Sequence, residues 1–292
     1  MENDSLFKSG HTACAGCGQA IACRLVIDAA GSNTIVANNT GCLEVFSTRY
    51  PETAWNVPWI HSLFENAAAV ASGIEAALIY LGKKDGINVI AQAGDGGTAD
   101  IGLQALSGMW ERGADVLSIC YDNEAYENTG IQRSGLTPYG ANTTTSPPGA
   151  KSIGNMRFKK PIPEIANAHG IPYVATASAG FPQDLQRKVK KAVSIKGPKY
   201  IQIHVPCPLG WGHESNLTYQ IAKLAVETGL YPLIEYENGK LLSVRKISQP
   251  KPVEEYLKTQ ARFKHLLNNP EQIRQIQEIA DNNIQKYNLK GE

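Results

Sequence analysis

The sequence predicts an α/β fold, a mostly parallel β-sheet with helices on both faces, followed by a C-terminal arm. Short apolar runs alternate with segments of helical period, the order expected when crossover helices connect parallel strands. The apolar runs are continuous, as in strands that are covered on both faces. We predict strands at residues 34–37, 88–93, 116–121, 173–176 and 200–205.

The predicted helices lie before and between these strands, at residues 19–30, 64–81, 99–112, 162–168 and 182–195. Two regions break the alternation. Residues 123–161 are rich in Gly, Thr, Ser, Asn and Pro and are too long for a simple connection, which indicates a functional loop. After residue 208 the sheet pattern stops, and residues 270–287 predict a polar helix with one apolar stripe. The sequence thus predicts a main domain of residues 1–208 and an arm, residues 209–292, that packs on this domain or on partner subunits.

Composition and charge exclude several classes of protein. The 292 residues include 28 Lys and Arg against 27 Asp and Glu, so the chain lacks the basic excess of a nucleic-acid-binding surface. No apolar segment reaches the ~20 residues that a bilayer span requires. The N-terminus has no signal-peptide pattern, and six cysteines without an export signal indicate metal or redox chemistry in a reducing compartment. We expect a cytoplasmic protein that binds neither nucleic acid nor membrane.

The motif Gly94-Asp95-Gly96-Gly97 lies between a predicted strand and a predicted helix. Open α/β sheets bind ligands at the carboxyl ends of their parallel strands, which is where this motif falls. The glycines would let a diphosphate approach the backbone, and the helix N-terminus would attract it. Asp95 is suited to hold a hard cation against the phosphate oxygens. The same four residues are also compatible with a plain tight turn, so the motif alone leaves both interpretations open.

The next predicted strand ends in Asp122-Asn123, which places Asp95 and Asn123 at the same edge of adjacent strands. Side-chain oxygens, a loop carbonyl, phosphate oxygens and a water would complete the octahedron that Mg²⁺ prefers. The two motifs together resemble the signature of the thiamine diphosphate enzymes, GDG followed after about one helix and one strand by Asn-Asn, with Asp122 in place of the first Asn. This resemblance implies Mg²⁺ ligands at Asp95, Asn123 and the carbonyl of Ala125.

Four of the six cysteines fall at strand ends or at a helix start, on the same side of the sheet as the GDGG motif: Cys14, Cys17, Cys42 and Cys207. Converging thiolates there would suit a 4Fe-4S cluster or a structural zinc. Zinc modules usually have two close pairs, whereas this set has one pair and two distant singles, which favours the cluster. Cys23 and Cys120 belong to a helix and a buried strand, where a free thiol packs as a small apolar side chain.

Longer motifs extend the resemblance over nearly the whole chain, to about residue 264. They are CAGCG, NNTGCLEV, GDGGTADIGLQALSGMWERG, YDNEAYENTGIQRSGLTPYGA and PCPLGW. Together they resemble the β subunits of the pyruvate:ferredoxin oxidoreductases, in the 2-oxoacid:ferredoxin oxidoreductase family. The resemblance implies a thiamine-diphosphate-binding fold in residues 1–208. It also implies that one 4Fe-4S cluster is held near the cofactor by Cys14, Cys17, Cys42 and Cys207.

The same resemblance implies the residues that contact the cofactor. Residues 123–128 would wrap the diphosphate and Mg²⁺, with Asn128 directed at the substrate and stabilising a developing oxyanion as the catalytic residue. Gln19 stands where related chains often carry Glu, and its amide can still accept a hydrogen bond. The expected contact set is Gln19, Cys42, Gly94, Asp95, Gly96, Gly97, Asn123, Ala125, Tyr126 and Asn128.

The implied activity is the oxidative decarboxylation of pyruvate with coenzyme A to acetyl-CoA and carbon dioxide, with electrons passing through the cluster to ferredoxin. Six cysteines supply one such cluster, so a longer relay would need other chains. The resemblance implies that this chain assembles with α, γ and δ subunits into one complex. If a partner selects the substrate, 2-oxoglutarate, 2-oxoisovalerate, indolepyruvate and oxalate stay open as alternatives. A zinc-stapled scaffold without activity is the alternative outside enzymes.

Overall fold

The computed structural model describes residues 5–291. Residues 1–4, which belong to the N-terminus judged to lack a signal peptide, lie outside this range. Within it, eight strands form one sheet in the order β10-β9-β7-β8-β4-β3-β1-β2, and β5 and β6 form a separate hairpin. The strands are β1 Thr34–Asn38, β2 Trp59–His61, β3 Asn88–Gly94, β4 Leu117–Asp122, β5 Pro148–Gly149, β6 Ser152–Ile153, β7 Tyr173–Ser178, β8 Lys199–His204, β9 Ile234–Glu237 and β10 Lys240–Val244.

Helices cover both faces of this sheet, as the sequence predicts. Apolar side chains of α1 and α7, such as Val26 and Leu185, pack on one face, and those of α3, α5 and α6, such as Met109 and Ile162, pack on the other. The helices are α1 Gly18–Ala30, α2 Cys42–Ser47, α3 Ala67–Tyr80, α4 Asp95–Ala99, α5 Leu103–Glu111, α6 Ile162–Ala168, α7 Pro182–Ser194, α8 Pro208–Trp211, α9 Thr218–Glu227, α10 Val253–Leu257 and α11 Pro270–Lys286.

The five predicted strands are all present and parallel to their neighbours among β1, β3, β4, β7 and β8. The prediction that the sheet stops at residue 208 is wrong, because β9 pairs antiparallel with β7 and β10 pairs antiparallel with β9. Asn238 and Gly239 connect β9 to β10 with φ angles of 50° and 82°, the backbone of a two-residue hairpin turn. The edge strand β2 was also not predicted. The division of the chain at residue 208 stays a prediction.

The helix predicted at residues 99–112 is interrupted. The chain is helical from Asp95, so the GDGG motif forms the first turn of α4, and it becomes helical again at Leu103. A side chain at Gly102 would meet the Gly97 carbonyl oxygen at 2.1 Å, so the break depends on a glycine there. The helix predicted from residue 64 begins at Ala67.

The C-terminal region has an apolar core of its own. It is built from α8 to α11 and the intervening 3-10 turns. The apolar stripe of α11 is present, with Ile276, Ala280 and Ile284 buried and Ile273 half-buried. The predicted functional loop, residues 123–161, is irregular apart from the hairpin of β5 and β6. Among the described helices, none is both long and apolar enough to span a bilayer.

We expect Ile276→Ala to lower the free energy of unfolding by about 2–5 kcal/mol, because truncation leaves a cavity in the C-terminal core. Urea unfolding of the purified chain measures this change. The control is Arg274→Ala on the exposed side of the same helix, where 71% of the side chain is accessible and an effect within about 0.5 kcal/mol is expected. Equal effects of the two substitutions would show that α11 does not pack as described.

Candidate functional site

The parallel pairing of β3 and β4 creates the site. Gly94 is in register with Tyr121, so Asp95 and the pair Asp122-Asn123 leave the sheet side by side. A cavity of about 210 Å³ opens at this edge. All ten residues of the expected contact set line it: Gln19, Cys42, Gly94, Asp95, Gly96, Gly97, Asn123, Ala125, Tyr126 and Asn128. The sequence analysis missed other lining residues, among them Asn38, Asn39 and Phe64. Glu127 also lines the cavity and was predicted only as part of the segment 123–128.

Three predicted metal ligands meet at one point of this cavity. One terminal atom of the Asn123 side-chain amide lies 2.7 Å from Asp95 Oδ1 and 2.9 Å from the Ala125 carbonyl oxygen. With its nitrogen there, the amide donates to both oxygens; with its oxygen there, three oxygens converge and need a shared cation. Neighbouring ligands of an octahedral Mg²⁺ with bonds of about 2.1 Å are about 3 Å apart. The spacing of these donors therefore fits Mg²⁺.

The electrostatics of Asp95 fit a cation as well. Its carboxylate is buried, with 1% of the residue exposed, and it accepts a hydrogen bond from Ser134 Oγ. Burial and the neighbouring Asp122 raise the pKa of Asp95 well above its usual value, although the Ser134 hydrogen bond opposes this. A divalent cation between the three oxygens would favour the ionised carboxylate.

Two glycines allow side chains to close over the start of α4. A side chain at Gly96 would meet the ring of Tyr126 at 2.2 Å, and one at Gly97 would meet the amide nitrogen of Asn39 at 2.8 Å. The Tyr126 hydroxyl donates to Asp100 at 2.8 Å, which fixes the ring beside Gly96. The second and third glycines of the motif are thus required by close packing, beyond any need of a bound diphosphate.

Four buried polar atoms of the residues that line the cavity lack a partner among residues 5–291. They are the side-chain oxygens of Gln19 and Asn38 and both carboxylate oxygens of Glu127. An unsatisfied buried acceptor costs about 1–3 kcal/mol, and a donor on a bound molecule would remove that cost. The amide oxygen of Gln19 is therefore available as the acceptor that the sequence analysis assigned to it.

Asn128 and Glu127 both line the cavity but differ in exposure. Asn128 is exposed there, in a position open to a substrate. Both carboxylate oxygens of Glu127 are buried without a hydrogen-bond partner in the described chain. Burial raises the pKa of Glu127 to about 7, although Arg262 and Cys207 oppose the shift. Glu127 belongs to the segment 123–128 that was expected to wrap the cofactor, but an acidic residue in a polar loop carries no sequence signal of such burial, so its buried carboxylate was not predicted.

The cysteine region borders the same cavity through Cys42. Cys17 caps α1, and the adjoining Gly18 N–H donates to the Pro206 carbonyl at 3.1 Å, which draws Cys17 toward Cys207. Gly16 has a φ of 72°, and a side chain there would meet the Ser215 carbonyl oxygen at 2.2 Å. This close approach explains why the CxxC loop contains glycine.

The predicted cluster ligands influence one another electrostatically. Burial is the main cause that raises the pKa of Cys17, Cys42 and Cys207, and each of these thiols also feels a neighbouring cysteine; the pKa of Cys42 rises to about 12. Cys207 Sγ accepts a hydrogen bond from the Gly210 N–H at 3.4 Å. Within residues 5–291, no three His, Cys, Asp or Glu side chains are close enough together to hold a single metal ion. The four thiols therefore share one region at a wider spacing than the ligands of one ion.

Comparisons with known proteins match this geometry. Residues 39–203 match the model of the thiamine pyrophosphate enzyme C-terminal TPP binding domain. The chain is 59% identical to pyruvate synthase subunit PorB of Methanosarcina barkeri, over 97% of this chain and 96% of that protein. It is also 52% identical to ketoisovalerate oxidoreductase subunit VorB of Pyrococcus abyssi, over 89% and 86% of the two chains.

The chain belongs to the thiamine-diphosphate-dependent 2-oxoacid:ferredoxin oxidoreductase subunit family. Members of this family act as subunits of oxidoreductase complexes, so this chain is one subunit of an enzyme. The predicted family and the predicted fold are confirmed. A solved 2-oxoglutarate:ferredoxin oxidoreductase from Magnetococcus marinus, with 2-oxoglutarate, coenzyme A and succinyl-CoA bound, matches with a TM-score of 0.59 and 26% identity, over 71% of this chain and 69% of that chain.

We expect Asp95→Asn to weaken Mg²⁺-dependent binding of thiamine diphosphate by at least ~100-fold, because the substitution removes the only formal charge among the three proposed ligands. Calorimetric titration of the cofactor at increasing Mg²⁺ concentrations measures the effect. Asp281→Asn, the same change on the exposed surface of α11, is the control. Unchanged affinity in the Asp95 variant would remove this carboxylate from the metal site.

We expect Cys207→Ser to lower the iron content of anaerobically purified protein from about four atoms per chain and to weaken its broad visible absorption. Cys120→Ala, which changes a buried packing thiol, is the control and should keep both. Colourless wild-type protein that contains zinc would contradict the cluster and favour the zinc-stapled scaffold. An unchanged spectrum in the Cys207 variant would exclude this thiol from the ligand set.

Proposed function

We propose that this chain is the thiamine-diphosphate-binding β subunit of a pyruvate:ferredoxin oxidoreductase. The complex would convert pyruvate and coenzyme A to acetyl-CoA and carbon dioxide and pass the electrons to ferredoxin. The observation that carries the proposal is the meeting of Asp95, Asn123 and the Ala125 carbonyl in a cavity that is also lined by the unpartnered side-chain oxygen of Gln19. The 59% identity to a PorB subunit over 97% of the chain favours pyruvate as the substrate.

The residues around the cavity have separate roles in this proposal. Asp95, Asn123 and Ala125 would hold Mg²⁺, and the backbone of Gly96 and Gly97 at the start of α4 would bind the diphosphate. Bound thiamine diphosphate supplies an electron sink for the carbanion that decarboxylation leaves. Phe64 packs edge-on against Tyr126, with ring centroids 5.8 Å apart, and shields this side of the cavity from water.

Asn128 is the proposed catalytic residue. The residue lines the cavity, where its side-chain amide can donate a hydrogen bond to an oxygen that gains negative charge. Such a donor contributes about 3–4 kcal/mol when water is excluded. Because Asn128 is exposed in the single chain, a partner subunit would have to cover it.

The four thiols Cys14, Cys17, Cys42 and Cys207 are the proposed ligands of one 4Fe-4S cluster. The raised pKa values of Cys17, Cys42 and Cys207 favour protonated thiols while these three side chains are free, and iron would stabilise the thiolates instead. A cluster of several atoms bridges ligands that are too widely spaced for one ion, so it suits the arrangement better than zinc does. Cys42 lies both in this set and on the cofactor cavity, which makes it the contact between the two sites.

The proposed assembly contains α, γ and δ subunits in the cytoplasm. The α subunit would complete the substrate site, and a subunit with further clusters would reach ferredoxin, because this chain has thiols for one cluster.

An alternative substrate is 2-oxoisovalerate, favoured by the 52% identity to a VorB subunit. Selection between these substrates would then rest with partner residues.

A panel of 2-oxoacids tests the substrate. We expect the complex, purified anaerobically with its partner subunits, to reduce ferredoxin at least ~10-fold faster per unit concentration with pyruvate than with 2-oxoisovalerate. A hydrophobic pocket separates ligands that differ by one or two methylenes by about this factor. The panel includes 2-oxoglutarate, indolepyruvate and oxalate. Faster turnover of any of these compounds than of pyruvate would overturn the assignment of pyruvate.

A further inference from the structure

We propose that Arg262, near the C-terminus, positions the magnesium ligands through Glu124, and that this ion pair sets the Mg²⁺ affinity of the site. The inference rests on the proposed function, since it concerns the loop of residues 123–125, which we call the magnesium loop. Glu124 does not contact the cavity in which the three ligands meet. It lies between two of them in sequence, so its backbone conformation determines how Asn123 and Ala125 face each other.

Glu124 holds an unusual backbone conformation. Its φ is 68°, in the left-handed region that non-glycine residues rarely adopt because of its steric strain. The turn brings the Ala125 carbonyl oxygen back toward the side chain of Asn123, to within 2.9 Å of its amide. Contacts elsewhere must stabilise this turn, because the loop itself favours a more relaxed backbone.

Two cations supply those contacts. Arg262 Nη2 donates to one carboxylate oxygen of Glu124 at 2.5 Å, and Lys159 Nζ donates to the other at 2.6 Å. Arg262 and Glu124 are both buried, with 4% and 5% of their side chains exposed. A buried ion pair of this kind resists displacement of either partner, because separating the two leaves an uncompensated buried charge. Glu124 is therefore held from two sides.

A second set of contacts holds the backbone on either side of Glu124. The Trp211 indole N–H donates to the Asn123 carbonyl at 2.8 Å, and Thr137 Oγ1 donates to the Glu124 carbonyl at 2.6 Å. The guanidinium of Arg262 stacks on the Trp211 ring at 3.6 Å. Arg262 thus supports the magnesium loop by two routes, through the Glu124 carboxylate and through Trp211.

The test compares Glu124→Gln and Arg262→Lys with wild type in the assembled complex after removal of the cofactor. The measured quantity is the Mg²⁺ concentration at half-maximal binding of thiamine diphosphate, obtained by calorimetry. We expect each substitution to raise it by ~10-fold or more, the usual effect of losing a residue that orients metal ligands. Arg262→Lys keeps the positive charge beside Glu124, so it tests the geometry of the pair without leaving that carboxylate unpaired.

The matched control is Asp115→Asn. Asp115 is a partly buried carboxylate that binds Lys84 at 2.9 Å and Lys199 at 2.6 Å, with the exposed Lys196 farther away at 3.8 Å, and it lies before the opposite end of β4. Its loss should lower the urea midpoint as Glu124→Gln does and leave the Mg²⁺ requirement within about twofold of wild type.

The two proposals fail in different ways. If Glu124→Gln and Arg262→Lys lower the urea midpoint while the Mg²⁺ requirement stays at the wild-type value, the pair is only structural and the inference is overturned, with the proposed function intact. If wild type itself binds thiamine diphosphate without Mg²⁺ dependence, the proposed function is overturned and the inference falls with it. A raised Mg²⁺ requirement in both variants, absent from Asp115→Asn, supports the inference.

Discussion

The parallel pairing of β3 with β4 is the constraint on which the rest of this site depends. It brings three acidic side chains, Asp95, Asp122 and Glu124, out of one sheet edge into a buried region. Lys159 binds both Asp122 and Glu124, and Arg262 binds Glu124. Asp95 forms no ion pair with a Lys or Arg within residues 5–291. The protein therefore compensates two of the three carboxylates itself, and the uncompensated one is the proposed ligand of a divalent cation. Burial increases the free-energy difference between the two paired carboxylates and the unpaired one, because an unpaired charge is costly away from water.

The sequence predicts the centre of the fold well and its edges poorly. Buried parallel strands are continuous apolar runs, and this pattern locates β3 and β4 to within about two residues. The edge strand β2 has three residues, all at least partly exposed, and leaves too short a pattern to recognise. In β9 and β10 the pattern is weakened because most of β10 is exposed. A signal was nevertheless present, since Asn238-Gly239 is the preferred pair for a two-residue hairpin turn.

The residues of the candidate site also differ in how well the sequence predicts them. Asp95, Asn123 and the cysteines are predictable because they directly follow strands or begin helices, and such positions share one edge of a parallel sheet. The residues that support them come from distant segments. Ser134 reaches Asp95 across 39 positions, Trp211 reaches Asn123 across 88, and Arg262 reaches Glu124 across 138. No local period or motif encodes these contacts, since they depend on how the long loop and the C-terminal region fold onto the sheet.

The C-terminal region consequently supports the candidate site, through the contacts of Trp211 with Asn123 and of Arg262 with Glu124. Before Arg262 and Trp211 are in place, Glu124 would be buried with Lys159 as its one cationic partner and would lack support for its left-handed backbone. The magnesium loop can then relax, and the ligand oxygens of Asn123 and Ala125 need not meet that of Asp95. Folding of the C-terminal core, in which Trp211 and Phe263 pack together with α11, supplies the missing contacts. In the proposed site, cofactor binding and C-terminal packing would stabilise the same loop conformation, so each would favour the other by thermodynamic linkage.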